Sequence, residues 1–169
     1  HLSGGLRESE LPRFRSYVDD FAEVAVSDFL GGQVTTIGKQ LSSPVELINV
    51  ADQVNQGLGQ ITFYGHSAPD VTDIDIGFVS DVTQGYDNPG RYPTILVNGC
   101  NSGEFFQANI LFGEDWILAE NKGAIHFIAH TFFGFENSLR EYSDIFYDVA
   151  YGDSTFINEP IGDVLKEVA

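Results

Sequence analysis

Two hydrophobic rhythms alternate along the chain. Short apolar runs bounded by Gly or Pro include Ile61-Thr62-Phe63-Tyr64, Thr94-Ile95-Leu96-Val97 and Ala124-Ile125-His126-Phe127-Ile128-Ala129. Their length and β-favouring residues predict strands buried on both faces, as in a parallel sheet. Val34-Thr35-Thr36-Ile37 predicts a shorter strand. Between these lie segments with apolar residues every three or four positions. From Ser9 to Leu30 the stripe is Leu11, Phe14, Val18, Phe21 and Ala25, with Ser9 as N-cap and Gly31-Gly32 as terminator. Ser43-Pro44-Val45-Glu46 has the form of a capping box and predicts a helix carrying Leu47, Ala51, Val54 and Leu58. A helix is predicted from Glu114 to Glu120. Ser138-Leu139-Arg140-Glu141 forms a second box ahead of Tyr142, Phe146 and Val149, and a last helix follows Pro160.

The connection from Ser67 to Arg91 is long, and its alternating Val71–Gly77 stretch predicts a surface strand or hairpin. Helices and strands in this order specify an α/β fold, a three-layer sandwich around a mainly parallel sheet with right-handed crossovers. At 169 residues, the span 1–169 is read as a single domain. His1-Leu2-Ser3-Gly4-Gly5 lacks an initiator Met and reads like the exit of a strand, so a piece of a longer protein is expected.

Charge narrows the partners. With 25 acidic against 8 basic residues, the net charge of −17 is the opposite of a nucleic-acid footprint, and it repels anionic membranes. No apolar run is long enough to form an integral membrane segment. The acidity serves solubility first; cation binding and attraction of a basic substrate are the sharper alternatives. The single cysteine, Cys100, rules out an internal disulfide and any multi-cysteine zinc site.

Two predicted strands end alike, in Gly65-His66 and Gly99-Cys100. Catalytic groups in parallel sheets gather beyond the carboxyl ends of the strands. Side by side, these two would bring an imidazole and a thiol to one edge, as a Cys/His nucleophile pair requires. His66 is then the candidate general acid/base and Cys100 the candidate nucleophile. The imidazole and the amino end of a following helix would favour the thiolate. The backbone N–H groups of Ser67 and Cys100 are candidate oxyanion donors. Gly65 and Gly99 leave room for substrate to approach, and Asn101, His130 and Thr131 join them as candidate substrate-lining residues. The bland alternative is a buried structural Cys beside a hydrogen-bonded His.

Other patterns are weaker. Gly65-His66-Ser67-Ala68-Pro69 imitates a serine nucleophile elbow, but Pro69 and a strand-like run follow where a helix is needed. Asp70, Asp73, Asp75, Asp81 and Asp87 crowd the long loop without EF-hand spacing; a solvated acidic loop is favoured over a structural Ca²⁺ site. His126 and His130 share a sheet face and are read as packed or edge histidines. No metal ligand set and no required cofactor are read.

Tyr64-Gly65-His66-Ser67 and Val97-Asn98-Gly99-Cys100-Asn101-Ser102-Gly103-Glu104-Phe105 resemble the two catalytic segments of the gingipain family of cysteine peptidases. Lys122 to Thr131 resembles the strand after the nucleophile. His1–Gly5, Ile74–Gly77 and Phe112–Leu118 are most similar to the gingipain-type signal peptidase, or sortase, of the bacterial type IX secretion system. The resemblance implies a caspase-like fold and His66 and Cys100 as the catalytic pair. It implies a polypeptide substrate, namely exported proteins whose sorting domains are removed. It also implies export to the bacterial cell surface, the outer membrane or the extracellular space, with other domains of the same longer chain as partners. A catalytically inactive scaffold that binds cargo is the alternative. Two positions depart from the common pattern: Ser67 stands where Gly usually follows the histidine, and Gly99 where Ala usually precedes the cysteine.

Overall fold

The computed structural model describes residues 1–106 and 111–169. In chain order the elements are β1 (Leu2–Ser3), α1 (Glu10–Val26), β2 (Ile37–Gly38), β3 (Glu46–Leu47), α2 (Ala51–Gln56) and β4 (Gln60–Tyr64). The long connection carries β5 (Ser67–Ala68), β6 (Val71–Thr72) and β7 (Ile74–Asp75). Then come β8 (Thr94–Asn98), α3 (Phe112–Leu118), β9 (His126–Ala129), α4 (Glu136–Tyr147) and α5 (Ile161–Val168), with a π-helical turn at Asp148–Gly152 extending α4.

Five strands form one sheet in the order β2-β1-β4-β8-β9, and every neighbouring pair is parallel. Its two faces follow from the period of two. Ile61, Phe63, Ile95 and Val97 point to one side, where they pack with Val54 of α2 and Phe112 and Trp116 of α3. Tyr64 and Leu96 point to the other, against Phe14, Val18 and Phe21 of α1, Leu139 and Phe146 of α4 and Val164 of α5. Burying each such large side chain stabilises by about 1.5–3 kcal/mol, and burial on both faces is why these strands read as unbroken apolar runs.

Five expectations need correction. Ser9 does not cap α1: its backbone is already helical and its side chain makes no cap bond. The Glu10 carboxylate instead accepts from the N–H groups of Leu6 (2.9 Å) and Arg7 (3.1 Å). Of the strand expected at Val34–Ile37, only Ile37 joins the sheet, together with Gly38. Ser43-Pro44-Val45-Glu46 starts no helix. The Glu46 carboxylate accepts from the N–H of Gln40 (3.0 Å), and β3 pairs with β7, while α2 begins only at Ala51, whose N–H donates to the Asn49 side chain (2.9 Å). The second box lies inside α4, which begins at Glu136 with Phe135 as its non-capping flank. The Val71–Gly77 alternation does give a hairpin strand, since β5 and β6 pair antiparallel, but Thr72, Asp73 and Asp75 within it are buried, not surface residues.

Candidate active site

Tyr64 and Asn98 are register partners at the ends of β4 and β8. His66 and Cys100 each lie two residues beyond that pair, so the parallel register delivers them to one rim. Both line a cavity of about 90 Å³, whose walls include Glu10, Gly134, Glu136 and Leu139.

The imidazole is partly exposed, and its Nε2 lies 3.1 Å from Oε2 of Glu10, whose side chain is 6 % exposed. Burial on its own would raise the Glu10 pKa. The Leu6 N–H, the His66 ring and the Arg7 N–H outweigh it and hold the carboxyl below its ordinary 4.5. Glu10 was not singled out in the sequence, where it is one of 25 acidic residues. The available signal was positional: β1 exits at the same rim as β4, so the first turn of the helix after it must begin there.

Cys100 is half-buried, and its Sγ is 3.8 Å from the Gly134 carbonyl. No helix opens directly after it, contrary to expectation. Asn101 adopts a left-handed φ of 56°, and its N–H donates to the Phe132 carbonyl (2.9 Å), while the Gly103 N–H donates to that of His130 (2.9 Å). The turn holding Cys100 is thus tied to the segment after β9.

The candidate lining residues separate. Gly65 and Cys100 face the cavity; Gly99, Asn101, His130 and Thr131 are not among its walls. A Cβ at Gly65 would lie 2.6 Å from Oδ1 of Asp73, so this glycine also admits the buried carboxylate behind it. His130 is half-buried with its ring edge on Tyr142, and burial lowers its pKa. Phe132, Phe133 and Phe135 stand exposed beside the Cys100 turn.

Two carboxylates of the acidic loop, Asp73 and Asp75, turn inward, whereas Asp70, Asp81 and Asp87 stay exposed. Asp73 accepts from the Gly5 N–H (2.7 Å) and faces Lys39 at 3.9 Å, with both side chains buried. Asp75 accepts from Thr72 and Gly77, and Asp81 from Thr83. Among the described residues, no three His, Cys, Asp or Glu side chains gather as a metal site, and no helix is long and apolar enough to cross a membrane.

The sequence model of peptidase family C25 matches residues 5–169. The chain belongs to this family, the gingipain family of cysteine peptidases. The crystal structure of the Arg-specific cysteine proteinase gingipain R superposes with a TM-score of 0.71 at 19 % identity, over 99 % of this chain and 40 % of that one. The complex of Porphyromonas gingivalis RgpB pro- and mature domains gives 0.62 at 19 % identity, over 88 % of this chain and 36 % of that one. The chain therefore spans well under half the length of these relatives. At such identity the likeness speaks to the fold, and it agrees with the caspase-like α/β sandwich that the resemblance implied. No curated protein matches the chain.

Proposed function

We propose that this family C25 domain carries the catalytic centre of a cysteine endopeptidase, with Cys100 as nucleophile, His66 as general acid/base and Glu10 as the carboxylate orienting it. The observation behind this reading is the cavity shared by the thiol and an imidazole whose Nε2 is already engaged by a buried carboxylate. That engagement leaves Nδ1 to exchange protons. The Cys100 thiolate attacks the scissile carbonyl, and the imidazolium gives its proton to the departing amine. Water, deprotonated by the same imidazole, then releases the acyl group. Glu10 stabilises the imidazolium between these steps, as the carboxylate of a serine-protease triad does. These steps use side chains, backbone and water alone.

The Ser67 N–H suits an oxyanion donor. The peptide joining it to His66 is trans, so it points opposite to the His66 carbonyl, which accepts from the Asp73 N–H at 2.9 Å. With the N–H of Cys100 it would face developing charge.

The substrate is a polypeptide. The arginine preference named for gingipain R is not carried over. Glu10 is bound to His66, and Glu136 is held by Arg13 (2.9 Å) and by the Tyr17 hydroxyl (2.9 Å), so both cavity carboxylates are occupied. The resemblance in the His and Cys segments supports removal of sorting domains from exported proteins in type IX secretion. It supports action at the cell surface with other domains of the same chain completing the groove.

An acylating, thiol-directed peptide probe tests this in the intact protein. Cys100 should label far faster than a free thiol. His66→Ala should slow labelling by on the order of 10²–10⁴ with the far-UV circular dichroism unchanged. Labelling at the rate of a free thiol would leave only the scaffold reading.

A further inference from the structure

The peptide between Cys100 and Asn101 is gripped on both edges. Its carbonyl accepts from the Ser67 hydroxyl at 2.8 Å, and its N–H donates to the Phe132 carbonyl at 2.9 Å. Behind Ser67, the hydroxyl of Ser102, a fully buried residue, donates to Ser67 Oγ at 2.8 Å, which commits the Ser67 proton to the Cys100 carbonyl. A planar peptide bonded on opposite edges cannot rotate. The torsions flanking it are therefore set, including the left-handed φ of Asn101. Turning that plane would swing Sγ out of the cavity it shares with His66.

The hydroxyl fits for one reason: residue 99 has no side chain. A Cβ on Gly99 would lie 2.1 Å from Ser67 Oγ and 2.9 Å from Ser67 Cβ, with the Gly65 carbonyl next at 3.3 Å. Gly99 is not in the left-handed region, so its backbone does not itself demand glycine. The demand is for space, and Ser67 makes it.

We propose that Ser67 is a positioning residue for Cys100, its hydroxyl orienting the nucleophile's peptide, and that Gly99 is required as the space the Ser67 side chain occupies, chiefly its hydroxyl. The inference rests on the Cys/His reading above and adds to it a residue that the acid/base chemistry does not call for.

Alkylation by iodoacetamide is followed on the peptide that carries Cys100, the single cysteine of these 169 residues. In the intact protein, the pH profile of alkylation and the steady-state constants for peptide hydrolysis are measured for the parent, Ser67→Ala and His66→Ala. Ser67→Ala should move the profile part of the way toward that of His66→Ala. It should lower kcat by about tenfold, the effect of one hydrogen bond, with KM held. Gly99→Ala is then placed beside Ser, Ala or Gly at position 67. Its penalty in melting temperature should be greatest with Ser67, smaller with Ala and smallest with Gly. A Ser67→Ala profile and kcat that match the parent, while His66→Ala shifts, would overturn the positioning role alone. A His66→Ala profile that matches the parent would overturn the Cys/His reading and this role together. An equal Gly99→Ala penalty in all three backgrounds would overturn the claim on space.

Discussion

Glu10 stabilises the protein as an anion. Its folded pKa lies below the ordinary 4.5, so its contribution is fully present above that value and is lost as the pH falls through the lower folded one. Glu10→Gln removes the contribution at every pH. The gap in unfolding free energy between parent and variant, measured by urea denaturation, should therefore be fully developed at about pH 5 and should narrow toward pH 3. A gap of unchanged size at pH 3 would assign the stabilisation to packing. At this scale the sequence exposed part of the site and concealed part. His66 and Cys100 were legible because each follows a strand and a glycine, a local pattern. Glu10 was not, because its partner is 56 residues away and tertiary structure alone, the pairing of β1 with β4 and the packing of Phe14 on Tyr64 and His66, joins them. Gly99 and Gly65 were legible as open space but not as to what fills it: Ser67 Oγ in one case and the Asp73 carboxylate in the other.

Among the elements, strands β4, β8 and β9 and helices α1, α4 and α5 were legible because their faces are decided by burial, which periodicity records directly. The two capping boxes misled because Ser, Glu and Pro also serve turns, and the competing partners are remote. Glu46 sits beside β7, a strand contributed from across the long connection. Gly113 lies inside α3, one residue before the expected helix start, where a Cβ would meet the Phe127 ring at 2.6 Å; the helix rides close on β9. Trp116 on the same helix is fully buried, packs edge-on against Tyr86 and donates from Nε1 to the Gly77 carbonyl at 3.0 Å. It thereby pins the long connection to the sheet. Trp116→Ala should cost about 3–5 kcal/mol in urea unfolding. It should also loosen residues 77–86 in hydrogen exchange before the strands. Uniform loss of protection would show that the connection does not depend on this anchor.

The whole molecule carries 17 more negative than positive charges. Few of the acids meet a base, so the folded state compresses mutual repulsion that the unfolded chain relaxes. The screening length falls from about 10 Å at 0.1 M salt to about 3 Å at 1 M. Sodium chloride raised from about 0.02 M to 0.5 M should therefore raise the melting temperature by several degrees. A fall would mean that the attractive pairs, such as Arg140 with Asp20 and Asp144, outweigh the repulsion. No described strand lies outside β9 in the sheet, and exposed Ile125 flanks its start. That outer row of amide and carbonyl groups is a template on which another extended segment can align. What keeps one molecule from zipping onto the next is their shared charge. A buffer that drifts toward the isoelectric point near 4.2 withdraws that protection before it threatens the core, so crowding and mild acid together should produce aggregates built from folded protein.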